Sequence, residues 1–291
     1  MYQLEAMLQE KNQKDENWKE RKTAERKEVN EWSDRAILTA TGSPEIYQQY
    51  LDVQADNPRY SATNVLLAIY QNPEVSVINS LKGWNAVGRS VKKDQIGMKV
   101  RVSDTYVKDG KKRYGYKIGA AFDISQTSGK GPLPKLILRE DSPELTTAIR
   151  KLLDISPVKI VTDTTMRGDA FYEPKDHEIH ISSELSDQCT FYALTREIVH
   201  ATIHDHGKYS YYNRTECSFD ADCVSYMVCR SLGIDAKKPD TTRVPALYDE
   251  MSPQDRRSVL DSIQKIFRKM QSEIQREVAP HQKAPEYTQA R

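Results

Sequence analysis

The sequence predicts an α+β protein in two parts, and three observations carry that expectation. Segments with apolar residues at helical spacing open on Ser-capped starts. Short strand-like runs sit between turn signals. The stretch "QTSGKGPLP", Gln126 to Pro134, combines Gly, Ser and Pro without an apolar period and divides the chain. The 291 residues suffice for two cores, since domains commonly run about 100 to 150 residues. The expected organisation is an arm over 1–34, a first domain over 35–126, a linker over 127–135, a second domain with a C-terminal helix over 136–279, and a disordered tail over 280–291.

Residues 1–34 are dense in Glu, Lys, Gln and Asn, which suits a solvated helix or a flexible arm. Ile37, Leu38, Ile46, Tyr47, Tyr50 and Leu51 then give two short helical faces, broken at "TGSPE", where Ser43 caps and Pro44 opens the second helix. "YSATNVLLAIYQN" reads as a buried helix with Val65, Leu66, Ile69 and Tyr70 on one side, stopped by Pro73. The runs "SVINSL", "KVRVSDTYV" and "RYGYKIGAAFDIS", separated by turn signals at "GWNAVG" and "KDGKK", predict a small antiparallel sheet behind these helices.

Beyond the linker, "DSPELTTAIRKLLD" is a helix capped by Ser142 with Pro143 at its first position. "VKIVTD" is a strand, and "DAFYEPKDHEIHIS" a hairpin turning at Glu173 to Asp176. A long helix follows from about Asp187, and another ends at Gly233. The last helix sets Leu260, Ile263, Phe267, Met270 and Ile274 along one face, which completes the second core or forms a dimer contact.

Basic and acidic residues nearly cancel, 43 against 42, so any electrostatic partner must be served by a local patch. The four cysteines, Cys189, Cys217, Cys223 and Cys229, include no CxxC pair, and the opening is charged rather than apolar. No window approaches the roughly 18 apolar residues of a membrane helix. These features predict a soluble, cytoplasmic protein with no membrane partner.

Chemistry concentrates in two places. "LTREIVHATIHDHG", Leu194 to Gly207, is one residue away from the zinc-peptidase pattern HExxH, because Arg196 stands where the first histidine would be. In the intact pattern two histidines at i and i+4 bind the metal, and the glutamate between them acts as general base on the metal-bound water. Here Glu197 and His200 survive, while Arg196 has no lone pair to offer a metal. A shifted zinc site would use His200 and His204, themselves i and i+4, with Glu216, Asp220 or Asp222 from the next helix. Helical arithmetic puts Phe191, Leu194, Thr195, Ile198 and Thr202 on a packing stripe, with Glu197, His200 and His204 opposite. A solvent-facing polar surface would give the same periodicity.

The second place is the window Lys82 to Lys117, with eleven basic residues against three acidic ones, Asp94, Asp104 and Asp109. Trp84, Tyr106, Tyr114 and Tyr116 are interleaved with them. Such a mixture suits single-stranded nucleic acid, where cations follow phosphates and rings stack on bases. Lysines guarding strand edges over buried aromatics would produce the same composition.

With both regions in view, the chain resembles the ArdC-type antirestriction proteins and the related LtrC-like proteins of plasmids and conjugative elements. The resemblance rests on "RYSATNVLLAIYQNPEVSVINSLKGWNAVGRSVKKDQIGMKV" and "AAFDISQT" in the first half. "YEPKDHEIHIS", "LTREIVHATIH" and "DADCVSYMVCRSLGID" carry it in the second. It implies an N-terminal domain that binds single-stranded DNA, with Asn64, Trp84, Arg89, Lys92 and Lys93 on the family pattern, joined here by Lys82, Lys99, Arg101 and Tyr114 from the basic window. It also implies a C-terminal zincin-like domain akin to the ImmA/IrrE group, in which the later helix carries a glutamate ligand where this chain has Ser218.

With Arg196 and Ser218 at two of the three ligand positions, the expectation is a degenerate metallopeptidase-like fold without a cofactor. The expected function is a mobile-element or phage-type anti-defence protein that binds single-stranded DNA, with the second domain as a binding scaffold for which a host defence nuclease is the candidate partner. Two alternatives stand beside it: a zinc peptidase with a rearranged site using Glu197, and a pure protein-binding inhibitor of a defence system.

Overall fold

The structure, a computed structural model, describes residues 2–129, 133, 135–205 and 211–279. Helix α1, Tyr2–Gly42, runs without a break through the boundary expected at residue 34. Glu, Lys, Gln, Arg and Ala keep it helical, and its first glycine is Gly42. Only its later part packs: Val29, Ser33, Ala36, Ile37 and Ala40 are buried, whereas Leu4, Met7, Leu8 and Trp18 are exposed.

Ser43 caps α2, Pro44–Asp56, by accepting from the Ile46 N–H, and Ser61 caps α3, Ala62–Gln71, through the Asn64 N–H. Strand β1 is only Ile78–Asn79, because Ser80 caps a short helix α4, Leu81–Ala86, where turn residues were expected. Gly83 lets that helix close on Asn79, whose Oδ1 would lie 1.9 Å from any Cβ added there. Strand β2, Arg89–Val91, follows. Strands β3, Met98–Lys108, and β4, Lys111–Asp123, form one long antiparallel hairpin that turns at Asp109 and Gly110, with φ of 52° and 70°. Two consecutive positive φ values are what a tight hairpin turn requires, hence the Asp-Gly pair. Strand β1 adds to β4, and β2 pairs antiparallel with β5, Thr127–Gly129.

Strand β5 occupies the first residues of the expected linker, so the chain is still in a sheet there. Residues 130–132 and 134, and the tail from residue 280, lie outside the described residues. Helix α5, Pro143–Ile155, is capped by Ser142, and β6, Lys159–Asp163, lies parallel to β8, Glu178–Ser182. Strand β7, Ala170–Glu173, pairs antiparallel with β8 and forms the edge of that sheet, in the order β6-β8-β7. Helices α6, Asp187–His204, α7, Arg214–Ser231, α8, Val244–Tyr248, and α9, Pro253–Val278, complete the order.

Most of the buried apolar residues of both halves form one continuous cluster. Tyr47 of α2 meets Phe219 of α7 and Tyr248 of α8, and α9 packs on α1, α3, α5 and α7 with Leu260, Ile263, Phe267, Met270 and Ile274 inward. The apolar face of α9 is thereby spent inside the chain. No helix among the described residues is long and apolar enough to cross a membrane.

Candidate functional site

Helix α6 starts at Ser186, whose side chain accepts from the Cys189 N–H, and carries the REIVH segment along the inner side of β7. The polar face expected opposite the packing stripe is itself enclosed: Glu197 is 1% exposed, His200 0% and His204 7%. Two arginines meet Glu197. Arg214, the first residue of α7, grips the carboxylate with both guanidinium ends, Nη1 to Oε2 and Nη2 to Oε1, each at 2.8 Å. Arg196 donates from Nη1 to Oε1 at 2.9 Å, and the Tyr172 N–H of β7 donates to Oε2 at 2.8 Å. Each oxygen thus accepts two donors, and no acceptor position is left for a water.

Arg196 turns its Nε to Asp222 Oδ1 at 2.6 Å, and Arg214 lies over the Phe171 ring at 4.5 Å. The cluster therefore holds two guanidinium groups and two carboxylates in balance. Burial alone raises the Glu197 carboxyl, but the Arg214 hydrogen bonds and charge and the Tyr172 N–H outweigh it and hold it below its ordinary value. His200 is pushed down to about 4, first by burial and then by the two arginines, with Glu197 opposing. It is neutral at pH 7. Its Nδ1 is hydrogen-bonded with the Tyr212 hydroxyl at 2.8 Å, and its buried Nε2 has no partner among the described residues.

A zinc ion does not fit this arrangement. Arg196 fills the first ligand position, the Ser218 hydroxyl donates to the Arg214 carbonyl at 2.8 Å, and Arg214 covers the carboxylate that would face a metal-bound water. The shifted ligand set does not converge either. His204 Nδ1 pairs with the Tyr172 hydroxyl at 2.7 Å, and its ring stacks on Tyr212 at 4.7 Å. Glu216 is held by Tyr211 and Asn213 at the exposed start of α7, and Asp222 is taken by Arg196. Asp220 is half-buried beside Cys223 and Tyr248, where desolvation pushes its carboxyl up to about 6. Among the described residues, the one group of His, Cys, Asp or Glu with ligand atoms close enough for an ion is Glu140, Asp141 and Asp187. There Glu140 accepts the Asp187 and Gln188 N–H groups and so caps α6.

Beside the cluster a cleft of about 340 Å³ opens between β7 and the chain after α7, with Tyr192, Arg196, Asp222, Lys237 and Asp240 on its walls. Its charges are mixed, and its inner wall is the occupied Arg196–Glu197 pair.

The basic window does not form one groove. Trp84 is 1% exposed and donates from Nε1 to the Phe122 carbonyl at 2.9 Å, so its ring is core rather than a stacking platform. Asn64, also 1% exposed, clamps the edge of β3, with Nδ2 to the Arg101 carbonyl and the Arg101 N–H to Oδ1, both at 2.8 Å. Lys99 pairs with Glu28 at 2.7 Å and sits over Trp32, and Arg101 reaches Asn30 and the face of Tyr116. These two cations fasten the hairpin to α1. Arg89 is half-buried against Thr127 Oγ1.

The outward residues fall into two sets. Lys82, Lys92 and Lys93 lie by the C-terminal end of β4, at the base of the hairpin, where Lys92 Nζ donates to the Ser125 carbonyl. Lys111, Lys112, Arg113 and Tyr114 lie at the hairpin tip, with Lys112 over the Tyr114 ring at 5.7 Å. The nine residues of β4 from Gly115 to Asp123 separate the two sets by roughly 30 Å at the usual rise per strand residue.

Sequence reasoning did not single out Arg214, Tyr172 or Tyr212, which form the cage around α6. Nothing in local spacing marks them, since they reach the site from a strand and from the segment that opens the next helix. An arginine facing a broken metal motif is a tertiary feature.

No family model matches the chain, and no curated protein matches it. Among solved structures it is similar to the metal-free crystal structure of antirestriction ArdC protein from R388 plasmid, with 19% identity and a TM-score of 0.49 over 76% of this chain and 86% of that one. It is likewise similar to the Mn(II)-bound structure of antirestriction ArdC protein from R388 plasmid, with 21% identity and a TM-score of 0.47 over 81% of this chain and 99% of that one.

Proposed function

We propose that this chain is an ArdC-like antirestriction protein that binds DNA through its N-terminal half and uses a zincin-like C-terminal half as a non-catalytic scaffold. The motifs of the N-terminal half supply the antirestriction reading. The observation that carries DNA binding is the outward set Lys82, Lys92 and Lys93, for which no carboxylate among the described residues forms an ion pair. Cations left without carboxylates are what a phosphate backbone neutralises, releasing counterions as it does so. Leu81, 52% exposed beside Lys82, and Ile96, 87% exposed in the loop after Lys93, add apolar surface for unstacked bases, which fits single-stranded DNA.

The scaffold reading is supported by Glu197. A carboxylate that accepts four hydrogen bonds and is held ionised by Arg214 has no capacity to take a proton from water at neutral pH. The scaffold's partner in this reading is a protein of the host defence system.

The test is a salt titration of single-stranded oligonucleotide binding, wild type against Lys82→Ala/Lys92→Ala/Lys93→Ala. Wild-type affinity falls steeply with salt, and the triple variant lowers the logarithmic slope by about 2. No binding by the wild type at low salt would sink the DNA half of the proposal.

A further inference from the structure

The far half of the β3–β4 hairpin stands clear of the core. Ser103, Thr105, Tyr106 and Val107 on one strand and Lys111, Lys112, Arg113 and Tyr114 on the other are all exposed. The register sets Tyr106 against Arg113 and Thr105 against Tyr114. Because neighbouring residues on a strand point to opposite faces, Tyr106 and Arg113 share one face of the ribbon, and Tyr114 and Lys112 share the other. Each face therefore carries a ring and a cation. The Tyr106 ring lies across Gly115, where an added Cβ would come within 3.1 Å of its Cε1.

Such an arm is poorly arranged for a single strand. Bases stacked on Tyr114 could not continue onto Tyr106 without passing round the edge of the ribbon. A duplex groove presents the opposite requirement, two phosphate-lined walls facing each other. A two-stranded ribbon with side chains on both faces is about 10 Å thick, which matches the roughly 12 Å major groove of B-form DNA and exceeds the roughly 6 Å minor groove. We infer that the β3–β4 ribbon is an arm that enters the major groove of duplex DNA, with Lys112 and Arg113 reaching the phosphates of opposite walls. This rests on the DNA-binding reading above and adds a second form of DNA, bound roughly 30 Å from the lysines at the base of the hairpin.

The experiment uses the full chain and three fluorescent probes of equal length and sequence: a DNA duplex, a DNA single strand and an RNA duplex. Fluorescence anisotropy is followed for wild type, Lys112→Ala/Arg113→Ala and Lys92→Ala/Lys93→Ala, with circular dichroism confirming that each is folded. The tip variant is expected to lose about tenfold in duplex DNA affinity and about 2 in salt slope, with single-strand affinity kept. The base variant should show the reverse preference. Duplex RNA, whose major groove is deep and narrow, is expected to bind about tenfold more weakly than duplex DNA to the wild type.

Equal binding of both duplexes, or equal loss of duplex and single strand in the tip variant, overturns the groove-inserted arm. Wild-type binding to the single strand alone sinks the arm and leaves the DNA reading standing. Binding to none of the probes sinks both.

Discussion

The REIVH helix and the basic window both hold residues that sequence marks as chemically capable, and the fold treats them in opposite ways. In the first, the charged groups are given partners, and Glu197 is taken out of water: Glu197 is held by Arg214, Arg196 and the Tyr172 N–H, and Asp222 by Arg196. In the second, Asn64, Trp84, Lys99 and Arg101 are absorbed into structure, while Lys112, Arg113 and Tyr114 are held out at the tip. What separates a buried cluster from an available surface is the supply of partners from distant elements. Residue type and spacing are blind to that supply.

The comparison breaks first if the Glu197 cluster is dispensable. Glu197→Ala leaves the half-buried Arg214 guanidinium without its carboxylate, Arg196 with Asp222 alone, and the Tyr172 N–H without an acceptor. Removing one partner of a buried ion pair costs about 3–5 kcal/mol, so urea denaturation should show a loss of that size. A loss below about 1 kcal/mol would mean that water reaches the cluster and that it does not hold the fold together.

Acid sharpens the same point. An unfolded histidine takes its proton near pH 6.5, whereas His200 in the folded chain resists until about 4. The unfolded state therefore gains protons first, and the contribution of neutral His200 to stability is lost as pH falls from about 6.5 towards 4. Asp220 runs the other way, because its folded pKa of about 6 favours the folded state as pH falls below that value. Comparing wild type with His200→Gln cancels Asp220 and every other group. The stability difference between the two proteins should shrink by about 2–3 kcal/mol between pH 7 and 4.5. A difference that stays constant would show that the His200 ring is hydrated.

A smaller effect divides the basic window itself. Asn64→Ala removes both side-chain bonds to the β3 edge at Arg101 and leaves a backbone N–H and C=O unpaired, a cost of about 1–3 kcal/mol. At a temperature where the variant is folded, its single-strand affinity should equal that of the wild type. A weakened affinity there would return Asn64 to the binding surface.

The parts of the fold that were legible in sequence are those written locally. Ser43-Pro44, Ser142-Pro143 and Ser252-Pro253 start α2, α5 and α9, and the apolar face of α9 is the one its period names. The Asp109-Gly110 turn likewise announces its hairpin. Elements set by packing were not legible. Leu81–Ala86 coils into α4 because Ser80 caps it and Trp84 is drawn under Phe122, although Gly and Asn in that run suggest a turn. The REIVH face was legible as polar and illegible as buried, since burial depends on Arg214 and Tyr172 arriving from elsewhere.

The smallest effect tests the far end of the hairpin. Tyr114 is 79% exposed and touches Lys112 as its one ring contact among the described residues, so Tyr114→Ala should change stability by no more than about 0.5 kcal/mol. An aromatic ring kept in water gains nothing for folding, because the apolar area it would bury is left uncovered. Its value must then be realised elsewhere, on a surface that covers it. A loss above about 1 kcal/mol would mean that the ring already packs on the chain, and the ribbon would become a structural element like Trp84. A neutral result, set beside the cost of Glu197→Ala, would place the two regions at opposite ends: one holds the fold together, and the other is held out by it.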